Sequence, residues 1–322
     1  MKLLEVDGLS THYISAGGTR VTRAVDKVSF SLDARGTLGV VGESGSGKTT
    51  LALSLLRLLP PAARIVGGAI RFEGDDLLAK SDVEMRRIRG KRMAMILQDP
   101  MASLNPLFTV GDQVAETLRA HEHVTRRNAW TKARDLLAAV RIAAPAQRVR
   151  EFPHQLSGGM RQRIVGAIAI SCEPRLLIAD EPTTSLDVTI QAQYLSLLRD
   201  LQREHGLALI FITHNLGIVA KMCDSVVVMY AGRLVESGPV RQIFNSPAHP
   251  YTKALIESIP RLGDSTVRLT AIDGQPPDPS ALPSGCAFHP RCPKAMERCR
   301  IEAPPNVEVG KSQMTACWLW AP

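Results

Sequence analysis

The stretch Leu38-Gly39-Val40-Val41-Gly42-Glu43-Ser44-Gly45-Ser46-Gly47-Lys48-Thr49-Thr50 constrains this chain more than any other. A short apolar run passes into a glycine-rich turn, and the turn opens into the helical spacing of Leu51 to Leu59. Strand, loop and helix in that order, with Gly42 to Thr49 matching G-x-x-x-x-G-K-[ST], make a phosphate-binding loop rather than an ordinary Gly/Ser turn. Glycines let backbone N–H groups turn inward, and the helix N-terminus adds its positive end to the cup. The candidate contacts are Gly42, Ser44, Gly45, Ser46, Gly47, Lys48, Thr49 and Thr50. Lys48 is expected to reach the β- and γ-phosphates, and the Thr49 hydroxyl to sit on Mg²⁺.

At 322 residues there is chain for about two domains. No run approaches the roughly 18 apolar residues of a membrane span, and the first residues lack a signal peptide's layout. The chain is therefore expected on the cytosolic side, meeting a membrane only through a partner. A net charge of +8 permits anionic partners. Arg86-Arg87-Ile88-Arg89-Gly90-Lys91-Arg92 is the densest basic patch, but with 4% aromatic residues there is little stacking surface for nucleic acid.

Leu3 to Tyr13, Val25 to Leu32 and Ile70 to Phe72 read as strands, as does Met93 to Leu97. Tyr13 ends the first strand before a polar turn, where its ring could stack on a base. From Val110 to Val140 the spacing is helical, with Val114, Leu118, Leu136, Leu137 and Val140 as buried positions. Ser157 then caps a helix carrying Ile164, Ala167, Ile168 and Ile170. Gly158 and Gly159, directly after that cap, open a second helix N-terminus to an oxyanion. Leu176 to Glu181 is an apolar strand ending in two acids, and ligands of parallel sheets gather at such strand ends. Following a phosphate loop, Asp180 and Glu181 read as a metal-holding acid and a water-polarising one. Leu209 to His214 repeats the arrangement with an imidazole for a γ-phosphate.

With these motifs in this order, the chain resembles the ATP-binding-cassette family of transporter ATPases from Leu3 to about Phe244. The phosphate loop, Gln98, Leu156-Ser157-Gly158-Gly159, Asp180-Glu181, Ser185-Leu186-Asp187 and His214 carry the likeness. It implies an α/β fold: a RecA-like core, an antiparallel β subdomain and an inserted helical subdomain at about 100–172, within a cassette of residues 1–245. It also implies that Tyr13 stacks on adenine and that Gln98 senses the γ-phosphate and Mg²⁺. Asp180 would hold the metal, Glu181 act as general base and His214 grip the γ-phosphate. Ser157, Gly158 and Gly159 would serve the nucleotide of a second ATPase chain, and Asp187 is a further nucleotide-binding candidate. No N-K-x-D motif is present, which agrees with ATP.

A narrower likeness is to the dipeptide/oligopeptide permease ATPases. It rests on Gln98-Asp99-Pro100-Met101-Ala102-Ser103-Leu104-Asn105-Pro106, Thr189-Ile190-Gln191-Ala192-Gln193, His249-Pro250-Tyr251-Thr252-Lys253-Ala254-Leu255 and Gly274-Gln275-Pro276-Pro277-Asp278-Pro279. This subfamily implies a sister ATPase chain, two membrane permease subunits and a binding protein, with the ATPase peripheral on the cytoplasmic face of the cell membrane. Relatives handling nickel chelates or glutathione are alternatives, and a cassette ATPase acting on nucleic acid is the reading from another class.

Six cysteines are unevenly spread. Cys172 and Cys223 read as small buried apolar residues. Cys286, Cys292, Cys299 and Cys317 fall in a Pro-rich tail (residues 246–322) with little core of its own. Cytosolic chains do not rely on disulfides, so a metal staple is expected there. The gaps of five, six and seventeen residues admit zinc and a [4Fe–4S] cluster alike. The likeness of Cys286-Ala287-Phe288-His289-Pro290-Arg291-Cys292 to the permease ATPases favours the cluster over zinc or unligated thiols, with His289 a structural residue before a substitute ligand.

Overall fold

The structure is a computed structural model and describes residues 2–184, 186–259 and 272–321. Twelve strands follow one another among the described residues: β1 Lys2–Ile14, β2 Val21–Asp33, β3 Thr37–Val41, β4 Ala63–Phe72, β5 Asp75–Asp76, β6 Met93–Ile96, β7 Leu176–Asp180, β8 Ala208–Thr213, β9 Ser225–Tyr230, β10 Arg233–Pro239, β11 Asn306–Glu308 and β12 Met314–Ala316. The chain divides into two compact units, and the division falls inside β8.

The first unit comprises residues 1–32, 37–78 and 211–322. Its sheet β2-β1-β4-β5 contains the strands expected at Leu3–Tyr13 and Val25–Leu32, and it buries Leu4, Val6, Leu9, Val25, Val28 and Leu32. β4 begins seven residues earlier than the apolar signal at Ile70, running antiparallel to β1 with Leu4 opposite Phe72 and Tyr13 opposite Ala63. Gly67-Gly68 hides that extension, because a glycine pair ordinarily marks a turn. Here Gly68 has φ +91° and makes a bulge against Gly8 and Leu9, whose backbone atoms a Cβ would meet at 2.5 Å.

In the same unit β3 runs parallel to β9, with Leu38 opposite Ser225 and Val41 opposite Val228. All five β3 residues are buried, as continuous apolarity in a parallel strand requires. β9 and β10 form a hairpin through Ala231 and Gly232, both at positive φ, and β12 then β11 extend the ladder beyond β10. The tail shares this core. Phe288, 1% exposed, packs with Tyr230 and Tyr251, its ring centroid 5.3 Å from each.

The helix Pro250–Glu257 starts from a histidine cap: the His249 Nδ1 accepts the Tyr251 N–H at 3.0 Å. His249 is 1% exposed, and burial pushes its imidazole down to about 3. The folded chain therefore keeps His249 neutral while the unfolded chain protonates it near the ordinary value of about 6.5. Below that pH the unfolded state binds the extra proton. Stability is present in full above about 6.5 and is lost toward 3, at up to about 1.4 kcal/mol per pH unit. His249→Asn, a cap that does not titrate, is expected to flatten that slope by up to one proton in urea titrations between pH 6.5 and 5.

The second unit comprises residues 33–36 and 79–210. β6 and β7 pair in parallel, Met93 opposite Leu176 and Ile96 opposite Ala179. The helical stretch expected over 110–140 is two helices, Val110–His121 and Arg126–Ala139. Thr109 and Thr125 cap them by accepting the N–H groups of Asp112 and Asn128. The Trp130 indole joins the two by donating to Asp112 at 3.2 Å. Val114, Leu118, Leu137 and Val140 are buried, and Leu136 is half-buried. No helix of the described residues is long and apolar enough to cross a membrane.

Candidate nucleotide-binding site

In the first unit β3 delivers the chain into the glycine loop, and the helix Lys48–Leu55 begins directly after Gly47. Gly42 and Gly47 have φ of +155° and +101°. A Cβ on Gly42 would overlap the Met229 carbonyl oxygen, and one on Gly47 the Ala24 carbonyl oxygen. Only glycine fits either position. The Lys48 Nζ donates to the carbonyls of Gly42 (2.8 Å) and Glu43 (2.9 Å), so the ammonium lies within the loop it is expected to serve. Ser44, Gly45 and Thr49 are exposed at the loop and first helical turn, and Ser46 is buried beneath them. Tyr13 is half-buried, its hydroxyl 3.5 Å from the Thr50 Oγ1, which places the ring beside the same helix start. His214 is exposed at the end of β8, ahead of the helix Leu216–Met222 that Asn215 caps.

In the second unit Asp180 ends β7 and is 1% exposed. Glu181 follows at φ +44°, a left-handed conformation that bulky residues rarely hold and that accumulates at functional sites. Its Oε2 accepts from the Gln98 Nε2 at 3.3 Å and from the Thr184 hydroxyl at 2.9 Å. The structure thus brings Gln98 to Glu181, and it adds Thr184, which sequence reasoning missed. The Ser157 Oγ accepts the Met160 N–H at 3.3 Å, making Ser157 the expected cap of the helix Gly158–Ile170. Gly159 lets this helix approach Ile190, whose Cγ2 would lie 2.8 Å from an added Cβ. Asp187 caps the helix Val188–His205 by accepting from Thr189 (3.1 Å) and Ile190 (3.0 Å). Ser185 lies outside the described residues.

The C-terminal thiols face one small cavity: Cys286, Cys292, Cys299 and Cys317 all line it. Burial pushes the Cys286 thiol up to about 11, and it raises Cys292 and Cys317 as well. In the metal-free chain such thiols hold their protons at neutral pH, and a bound metal would have to displace them. Among the described residues no group of three or more His, Cys, Asp or Glu is placed to hold a metal ion. The expected metal staple, cluster or zinc, is therefore not supported: the four side chains line one cavity, but no such ligand group is found among the described residues. The His289 ring, which lines the same cavity, meets the Cys286 carbonyl at 3.0 Å. Cys172 and Cys223 are half-buried instead of buried.

Residues 25–184 match the ABC transporter family, and residues 235–299 match the family described as oligopeptide/dipeptide transporter, C-terminal region. A protein of Sinorhizobium fredii named probable peptide ABC transporter ATP-binding protein y4tR is 50% identical over 98% of this chain and 94% of its own length. The dipeptide transport ATP-binding protein DppD of Bacillus subtilis is 48% identical over 99% of this chain and 95% of its own. Among solved structures, the dimeric post-hydrolysis state of the ATP-binding cassette MJ0796 with ADP and Pi aligns with a TM-score of 0.66 at 21% identity. It covers 74% of this chain and 99% of that one, a likeness of fold.

Proposed function

Because the chain belongs to the ABC transporter family of ATP-binding proteins, we propose that it is the ATP-hydrolysing subunit of an importer of dipeptides or oligopeptides. The cargo class follows the peptide and dipeptide names of relatives that share nearly the whole chain, including the C-terminal region. The observation that carries the chemistry is Glu181, held at the end of a buried strand by Gln98 and Thr184.

In this reading the loop from Gly42 to Thr50 wraps the triphosphate with backbone N–H groups and Lys48, while the Tyr13 ring supports adenine. Thr49, Asp180 and Gln98 offer oxygen donors, the ligand type Mg²⁺ prefers. Bound there, the ion would neutralise charge on the β- and γ-oxygens. Glu181 takes the proton of the attacking water at a carboxylate oxygen, Gln98 orients that water, and His214 holds the γ-phosphate. Little covalent chemistry is asked of the protein in such a transfer; positioning and charge stabilisation supply most of it.

Ser157, Gly158 and Gly159 serve the nucleotide of a second ATPase chain, which we take to be a sister of this one, and Asp187 is a further nucleotide-binding candidate. Supporting a membrane partner, Met101, Leu107 and Phe108 are 52%, 79% and 53% exposed shortly after Gln98. Beside them runs a groove of about 700 Å³ lined by Asn105, Phe108, Gln113 and Trp130. A permease helix that sets apolar side chains on Met101, Leu107 and Phe108 and polar ones toward the groove fits this surface. In this reading the chain lies peripherally on the cytoplasmic face of the cell membrane, under two permeases fed by a binding protein. The cassette then spans residues 1–245, with its antiparallel β subdomain and a helical subdomain at about 100–172, and the extension spans 246–322. The donor set of Cys286, Cys292, Cys299 and Cys317, rather than its placement, keeps a [4Fe–4S] cluster in the proposal. Roughly four irons per chain after anaerobic purification would support it, and iron-free protein would reject it.

The test is ATP turnover by the assembled transporter in vesicles. Peptide-loaded binding protein is expected to stimulate turnover. Stimulation by a nickel chelate or glutathione instead, or by nucleic acid with the isolated chain, contradicts the peptide reading.

A further inference from the structure

We infer that Arg291 is a positioning residue for the phosphate loop, and that through it the C-terminal segment sets how tightly the loop holds nucleotide. This rests on the nucleotide-binding reading above. Glu43, between Gly42 and Ser44, is held at every polar group. Its carbonyl accepts from the Lys48 Nζ at 2.9 Å and from the Ser46 N–H at 3.2 Å. Its N–H donates to the Tyr251 hydroxyl at 2.9 Å. Its carboxylate receives the Arg291 guanidinium as a two-pronged fork, Nη1 to Oε2 at 2.7 Å and Nη2 to Oε1 at 3.0 Å.

Both outside pins on Glu43, Tyr251 and Arg291, come from beyond residue 245, and Arg291 immediately precedes Cys292. The Arg291 side chain is 4% exposed. Its Nε donates to the Asp273 carbonyl at 2.9 Å, and further bonds run to the Ile272 carbonyl and the Tyr230 hydroxyl, each at 3.3 Å. The bond to Glu43 keeps Arg291 firmly protonated. Such a guanidinium is fixed in direction before any nucleotide arrives.

Two consequences follow for a triphosphate. The fork neutralises a carboxylate standing in the very loop that must receive several negative charges. Together with Tyr251 it also fixes the peptide at Glu43, whose carbonyl faces Lys48. Removing the guanidinium leaves Glu43 charged and unpaired beside the phosphates, an uncompensated charge that costs more than the intact pair contributes. The loss should fall on binding, because neither residue reaches the transferred phosphate.

Four full-length variants, Arg291→Ala, Arg291→Lys, Tyr251→Phe and the double Arg291→Ala with Glu43→Gln, test this by MgATP binding and turnover. Arg291→Ala is expected to raise the Kd and KM for ATP roughly tenfold while kcat stays within about twofold. Arg291→Lys, which keeps charge but not the fork, should fall between. Adding Glu43→Gln to Arg291→Ala should recover most of the lost affinity, a rescue that mere unfolding would not show. An unchanged Kd in Arg291→Ala, or no rescue in the double variant, overturns the inference. Should Arg291→Ala not fold, Arg291→Lys and Tyr251→Phe carry the test, and wild-type affinity in both overturns it. Wild-type chain that binds no nucleotide at all would reject the underlying reading instead.

Discussion

Glu181→Gln is expected to slow ATP hydrolysis on the order of 10²–10³-fold and to leave nucleotide binding intact. The substitution keeps the size of the side chain, and the amide oxygen can still accept from the Thr184 hydroxyl that now lies 2.9 Å from Oε2. What it removes is the ability to take a proton from water. The left-handed backbone at residue 181 is set by the chain around it, so the new side chain starts from the same place. Phosphate release in a single turnover measures the loss, and size-exclusion chromatography with MgATP should show an ATP-held dimer. A rate within a few-fold of wild type would place the general base elsewhere.

Lys48→Ala is expected to weaken MgATP binding on the order of 10²-fold, about 2.7 kcal/mol, for a charged hydrogen-bonding partner removed from a desolvated site. Lys48 is 6% exposed and its Nζ rests on two carbonyls of its own loop, so its charge is already pointed into the cup. Alanine leaves those carbonyls facing the space and takes away the only lysine in the motif. Titration with a fluorescent ATP analogue reads the effect directly. Affinity within about threefold of wild type would mean that the loop binds by its backbone alone.

The phosphate loop was legible because its constraints are local. Gly42 and Gly47 must be glycine where they stand, and the strand and helix flanking them are each a few residues away. Asp180-Glu181 and the Ser157 cap were legible for the same reason. The break between the helices at 110–121 and 126–139 was not, since apolar spacing stays nearly in phase across it and only the Thr125 cap marks it. Asp187 carries a second role that the motif did not announce, as the N-cap of the long helix after it. His249 was missed as a cap because serine, threonine, aspartate and asparagine lead at that position. Arg291 lies 248 residues from Glu43, and no periodicity can report a pair so distant in the chain. The tail, too, gave no sign that Phe288 completes the core around Tyr230 and Tyr251, because a single aromatic has no pattern.

The claim on which this account turns is that a nucleotide held by Lys48 of one ATPase chain is completed by Ser157 of another. The direct measurement is a structure of the transporter carrying Glu181→Gln, trapped with MgATP. The Ser157 hydroxyl should stand within about 3 Å of a γ-phosphate oxygen whose triphosphate is wrapped by the neighbouring chain's loop. A closed assembly with ATP bound and Ser157 out of reach of every phosphate would contradict it.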